Sequence, residues 1–235
     1  MQLTSSTIRT EMRLYFTLGN LPQKSTKVLR PSTSTRPIIW LAEQEGKRLV
    51  VKDFSHNRFF YRNIFGRFLI WREAKAYRRL GRIKGIPRYY GVLDGLAIIT
   101  EFIDGKTVKQ IEKEGHLPPS FFEKLKDLID AFHKRGIAHC DLKRTPNVIV
   151  ASDGNPYILD WAASVSSSEC KFYPLTKIYD RLIRDDEMAV IKMKLRHVPE
   201  MVTRRERALY NRRSPAENFM RSVRDKLRQW LQKVA

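Results

Sequence analysis

The sequence predicts an α+β chain of two unequal halves: a small, mainly antiparallel β half with one key helix, then a reduced, mainly helical half. Two observations carry this. Up to about residue 103 the order reads strand, strand, helix, strand, strand, with a hairpin signal between the members of each strand pair. Beyond Gly105 the pattern turns helical. Its strongest stretch, Pro118 to His133, places Phe121, Phe122, Leu125, Leu128, Ile129 and Phe132 at helical spacing.

The elements follow in order. Residues 1–30 are polar and weakly periodic and read as an extension that adds a short strand at Met12–Thr17. Ser32-Thr33-Ser34-Thr35, between Pro31 and Pro37, reads as loop. Ile38–Leu41 and Arg48–Phe54 form a hairpin about Glu45-Gly46-Lys47. A helix is expected over Ile64–Leu80, where Phe65, Phe68, Leu69, Ala76 and Leu80 recur, and Gly85-Ile86-Pro87 breaks the run. Tyr89–Leu93 and Leu96–Phe102 form a second hairpin at Asp94-Gly95. Short strands at Asn147–Ala151 and Tyr157–Leu159 and a helix at Leu175–Lys194 precede a very basic tail. The expected division is an extension (1–30), a β half (31–103), a helical half (104–200) and a basic helical tail (201–235).

Composition narrows the function classes. Of 235 residues, 42% are hydrophobic, which supports a packed core. The longest apolar runs are strand-sized, and the N-terminus has no basic segment followed by an apolar one, so neither a membrane span nor a signal peptide is expected. Cys140 and Cys170 form neither a metal spacing nor a disulfide framework, which suits a cytoplasmic protein. The net charge of +20 points to anionic partners such as nucleotides, phosphorylated glycans or anionic lipid. Nucleic acid would rest on charge alone, because no zinc, homeodomain or RRM signature accompanies it.

Four features carry chemistry. Lys52 ends the strand run Val50-Val51-Lys52, and Glu73 lies inside the first helix. His139-Cys140-Asp141-Leu142-Lys143 follows the apolar helix and runs on to Asn147. Ile158-Leu159-Asp160-Trp161-Ala162 sets an acid directly after a strand. Singly, each has an ordinary structural explanation: an exposed lysine, a helix-surface ion pair, a turn aspartate. Together and in this order they resemble the protein-kinase-like superfamily, over about residues 31 to 165, with its two-lobed fold. The resemblance is closest to minimal members, the RIO-type kinases and the bacterial lipopolysaccharide core (heptose or Kdo) kinases, because less than a third of the chain follows Asp160.

The resemblance implies a role for each residue. ATP and Mg²⁺ are the expected cofactors. Lys52 would neutralise the nucleotide phosphates and pair with Glu73, and Asp160 and Asn147 would hold the metal. Asp141 would orient the acceptor hydroxyl as base, and Lys143 would reach the transferred phosphate. The carbonyl of Glu101 and the amide of Ile103 would pair with adenine, with Thr100 behind them. The expected activity is phosphotransfer to a hydroxyl, of a lipopolysaccharide core sugar in preference or of protein serine or threonine.

The pattern also departs from the family. Leu29–Leu41 holds no glycine where many kinases carry a glycine-rich loop, so Ser32 to Thr35 and Arg36 are left to cover the phosphates. Cys140 replaces the arginine that reads a phosphorylated activation loop, and Asn147 stands six residues after Asp141 rather than five. These departures favour the alternative of a pseudokinase or basic scaffold. In the tail, Ser214-Pro215-Ala216-Glu217 is a capping box opening a helix with an apolar stripe from Phe219 to Val234. That helix either packs on the larger lobe or lies on an anionic inner-membrane surface.

Overall fold

The structure is a computed structural model that describes residues 15–211. A helical turn, α1 (Leu21–Lys24), leads into β1 (Ser25–Arg30), β2 (Ile38–Gln44) and β3 (Lys47–Asp53). The chain then forms α2 (Phe59–Tyr61), a π-helical turn (Arg62–Gly66) and α3 (Arg67–Leu80), one continuous helical segment, before β4 (Tyr89–Leu93) and β5 (Ala97–Glu101). These strands make an antiparallel sheet in the order β1-β2-β3-β5-β4. The second half holds β6 (Gly105–Thr107), α4 (Val108–Glu114), α5 (Pro119–Lys134), β7 (Ile137–Ala138), β8 (Val148–Ala151), β9 (Pro156–Ile158), β10 (Val165–Ser166), α6 (Leu175–His197) and α7 (Arg204–Asn211). This is the α+β, kinase-like architecture that the sequence predicts.

Both hairpins form where the turn residues require them. Glu45 and Gly46 adopt φ of 52° and 70°, and Asp94 and Gly95 adopt 50° and 69°, the left-handed pair of a tight hairpin. Two differences stand out. The strand contributed by the extension is Ser25–Arg30, not Met12–Thr17: Tyr15–Thr17 is not strand, and Met12–Leu14 lie outside the described residues. All of β1 except Ser25 is exposed, so it carries no apolar alternation for a pattern to find. The first long helix begins at Phe59 rather than Ile64, because the π turn joins α2 to α3 without a break. The tail helix expected from Ser214 falls outside the described residues.

Strand alternation decides what faces the site. On β3, Leu49 and Val51 point into a core with Trp40, Ala97 and Ile99, closed over by Phe16 and Leu21. Lys52 therefore turns to the opposite face, beside its register partner Ile98, where α3 packs. The second core runs from α3 (Ile70, Tyr77, Leu80) through Phe121, Phe122, Leu125 and Phe132 of α5 to Val190 and Met193 of α6, so it spans both halves. At Gly85 (φ 93°) a Cβ would press on Leu128 of α5 and on the Pro156 carbonyl, while the Gly85 carbonyl accepts from the Ile158 amide at 2.9 Å. That close approach needs glycine.

The connection from β1 to β2 is held from outside. The amide nitrogen of Asn57 lies 2.7, 3.2 and 3.1 Å from the carbonyls of Thr33, Ser34 and Arg36, and the Tyr61 hydroxyl donates to the Thr35 carbonyl at 2.9 Å. Side-chain clamps thus set this loop's shape. Asn57→Ala should lower unfolding free energy by roughly 1–3 kcal/mol and speed proteolytic cleavage within 31–37. Urea titration and timed digestion check this, and an unchanged midpoint and cleavage rate would mean the loop holds itself.

Candidate active site

Lys52 is the centre of the site. Its Nζ donates to Glu73 Oε2 and to Asp160 Oδ1, each at 2.8 Å. Burial pulls the Lys52 ammonium down, but Asp160 and Glu73 outweigh it and hold the group well above its ordinary value. The Lys52 charge holds Asp160 at about 2, against burial. Burial pushes Glu73 above the usual carboxylate range, with Lys52 opposing. Glu73 is 3% exposed and faces inward from α3.

Asp160 is aimed by its neighbours. It takes a left-handed conformation (φ 62°) just past β9, at the start of the 3₁₀ turn Trp161–Ala163. Trp161 is fully buried, lies edge-to-face with Phe132 and His139, and donates from Nε1 to the Ile158 carbonyl at 3.3 Å. His139 Nε2 donates to the Leu159 carbonyl at 2.9 Å and its Nδ1 accepts from the Asp141 amide at 3.2 Å. These two bonds select the tautomer with hydrogen on Nε2 and tie the loop of Asp141 to the residue before Asp160.

The loop Asp141–Asn147 absorbs its extra residue in two successive turns, Arg144 N to Asp141 O at 3.2 Å and Asn147 N to Arg144 O at 2.9 Å. Asn147 still returns to Asp141: its amide nitrogen lies 3.1 Å from the Asp141 carbonyl and 3.3 Å from Asp141 Oδ2. Arg144 also reaches Oδ2, at 3.3 Å. The Asn147 carbonyl accepts from the Leu159 amide at 2.8 Å, which sets Asn147 beside the strand end that carries Asp160.

The expected site residues thus fall into two joined groups, Lys52–Glu73–Asp160 and Asp141–Asn147. Lys143 points elsewhere, its amine 3.4 Å from Asp185 Oδ1 on α6. Glu101 sits at the crossing between the halves, where its amide donates to the Arg88 carbonyl at 2.8 Å and its carboxylate accepts from the Arg88 amide at 3.0 Å. Next to it the Phe102 amide donates to the Arg48 carbonyl, and the half-buried Ile103 follows.

Sequence reading assigns Asp186 no role in the site. This α6 carboxylate is 1% exposed and accepts from the His139 amide at 2.7 Å and the Cys140 amide at 3.0 Å, with His133 Nε2 at 3.1 Å. It holds the loop through Cys140, whose φ of 67° is costly for a non-glycine residue. Arg30 and Arg144 were missed as well. Burial pulls the Arg30 guanidinium below its ordinary value, with repulsion from Arg36 and Arg144 adding to it and the attraction of Asp160 opposing.

The donor chemistry suits a hard cation. Asp160 offers carboxylate oxygen, and Asn147, with its nitrogen on Asp141, has its amide oxygen to offer. Among the described residues no group of three or more His, Cys, Asp and Glu converges. Asp160 and Asn147 would be the residues to hold such a cation, through oxygen.

A family model for the RIO domain matches residues 44–175. A probable bifunctional tRNA threonylcarbamoyladenosine biosynthesis protein of Methanosarcina barkeri is 30% identical over 129 residues, which cover 53% of this chain and 22% of that protein. The chain therefore spans less than a quarter of that relative's length.

Two measurements probe this geometry. Asp186→Ala leaves two buried amides without their acceptor and should cost roughly 2–5 kcal/mol in urea unfolding; a loss within experimental error would remove Asp186 as the anchor of the loop. Asp160 binds its proton less readily folded than at its ordinary 3.8, so its stabilisation is present above that pH and fades as pH falls toward about 2. Its side chain is 42% exposed, so screening leaves on the order of 1 kcal/mol. The stability gap between the natural protein and Asp160→Asn should narrow from pH 5 to pH 2, and a gap that does not change with pH would contradict this coupling.

Proposed function

The chain belongs to the RIO-domain family, a protein-kinase-like family, and from that premise we propose that it is an ATP-dependent kinase that transfers the γ-phosphate to a hydroxyl. The observation that carries the reading is Lys52 held between Glu73 and Asp160 while Asn147 joins Asp141 to the same strand end. Membership itself supports an ATP-using kinase-like activity.

Each residue then has work to do. Lys52, anchored by Glu73, offers its charge to the α- and β-phosphates. Arg30 and Arg36, on and beside the glycine-free loop, supply the positive cover that glycine-loop amides supply elsewhere. Asp160 and Asn147 would hold Mg²⁺, which would supply neutralising charge for the phosphates. The Glu101 carbonyl and the Ile103 amide take the adenine edge. Asp141 has Oδ2 engaged by Arg144 and Asn147, and Oδ1 accepts the hydrogen of the acceptor hydroxyl. As the acceptor oxygen bonds to the γ-phosphorus, the bond to the ADP oxygen breaks and the hydroxyl proton passes to Asp141. Lys143 leaves Asp185 to meet the transferred phosphate.

The acceptor we favour is a sugar hydroxyl of a lipopolysaccharide core, with protein serine or threonine as the second choice. The charge of +20 supports an anionic acceptor, at the cytoplasmic side of the inner membrane. No described helix is long and apolar enough to cross a membrane.

Incubation with γ-labelled Mg-ATP, lipopolysaccharide and a protein mixture in separate arms tests the reading. Label should enter one arm, and Asp141→Asn should reduce transfer by roughly 10²–10⁴-fold while leaving nucleotide binding in place. Nucleotide binding with transfer to neither would make the protein a pseudokinase.

A further inference from the structure

The helical segment 59–80 has a second face. Its inner side is locked into the core by Tyr61, Ile70, Tyr77 and Leu80, and Glu73 points to Lys52. Its outer side carries Phe60 (73% exposed), Ile64 (59%), Phe68 (51%) and Trp71 (52%), spaced three or four residues apart along one stripe. Large apolar side chains in a continuous exposed stripe mark an interaction surface. We infer that this face docks the protein flat on an anionic phospholipid surface.

Charge selects that occupant. In residues 58–80 every charged residue except the inward Glu73 is Arg or Lys. The cations stand among the rings: the Arg72 guanidinium lies 5.9 Å from the Phe68 ring centre and the Lys75 amine 5.2 Å from that of Trp71. Aromatic rings at headgroup depth beside basic side chains are what an interfacial helix presents to anionic lipid. At one border Glu169 pairs with Lys75 at 2.6 Å and with Arg72 at 3.6 Å, so part of that charge is met within the protein.

Other occupants fit less well. A second copy brings the same charge of +20, and residues 212–235 of this chain are themselves basic in excess, so both are repelled by the stripe. The surface is the convex side of a helix rather than a groove, which suits a deformable bilayer better than a peptide helix or a nucleic-acid strand. The inference does not depend on which acceptor is phosphorylated.

Sedimentation of the full chain with vesicles, in the absence of nucleotide, tests it. Phosphatidylglycerol–phosphatidylethanolamine vesicles should bind at least tenfold more protein than phosphatidylcholine vesicles, with binding falling as salt rises. Phe60→Ser/Trp71→Ser should lose about tenfold of that binding at an unchanged urea midpoint, and Trp71→Phe should keep it. In a Trp230→Phe background, where Trp40 and Trp161 are buried, brominated lipid should quench Trp71 emission. The inference is overturned if the double variant binds as well as the natural protein, if anionic vesicles are not preferred, or if Trp71 is shielded from acrylamide before vesicles are added. Protection of Trp71 by RNA in place of vesicles would overturn it too.

Discussion

One ammonium shared by two carboxylates organises this protein. Lys52 comes from β3, Glu73 from α3 and Asp160 from the far end of β9, so a single cation links the sheet, the helix above it and the second half of the chain. Removing a charge from water is costly, and two acceptors at 2.8 Å offset that cost only while all three elements stay in register. The pair is also unequal. Glu73 is buried and has its pKa raised by burial, whereas Asp160 is part-exposed and strongly acidic. Glu73 is therefore the buried side of this pairing and Asp160 the side that meets solvent.

The rest of the site depends on backbone groups held by side chains far away in sequence. Asp186 satisfies the His139 and Cys140 amides, and His139 in turn accepts from Asp141 and donates to Leu159. The same device recurs in the first half, where Asn57 and Tyr61 hold the carbonyls of a loop that lacks glycine. A glycine-rich loop brings its amides close to phosphate because it has no Cβ. Here the loop is held instead by side-chain clamps and is bordered by Arg30 and Arg36.

Much of the fold could be read from the sequence where local signals agree with the tertiary structure. The two hairpins were legible because Glu45-Gly46 and Asp94-Gly95 are turn pairs between apolar runs, and α5 because six apolar residues share one face. β1 was not, since its exposed side chains give no alternation. The Thr107–Gln110 capping box of α4 is a signal readable in the sequence. In the candidate site, the meeting of Lys52 with Glu73 and Asp160 was legible because motif order survives in sequence. Asp186 was not, because its partners are backbone amides 46 and 47 residues away and any acid on α6 looks alike in a string. Asn147 looked misplaced by one residue, yet two consecutive turns return it to Asp141.

The helical segment 59–80 joins these threads mechanically. Its inward Glu73 fixes Lys52, and two residues earlier Trp71 faces solvent. A helix that is buried on one side and apolar on the other has little freedom to roll, because rolling would pull Glu73 away from the ammonium. The π turn at Arg62–Gly66 is the one place in this segment where the backbone pattern changes, and Gly66 there packs its bare Cα against Phe54 of the core. Phe60 thus stands before this local defect and Ile64 within it, while Phe68, Trp71 and Glu73 ride on the regular helix beyond it. A surface that engages the whole stripe would brace both pieces as one rod, and the part most directly stiffened would be the π turn, on the same helical segment as Glu73. Location of the protein and order in its active site would then be two consequences of the same contact.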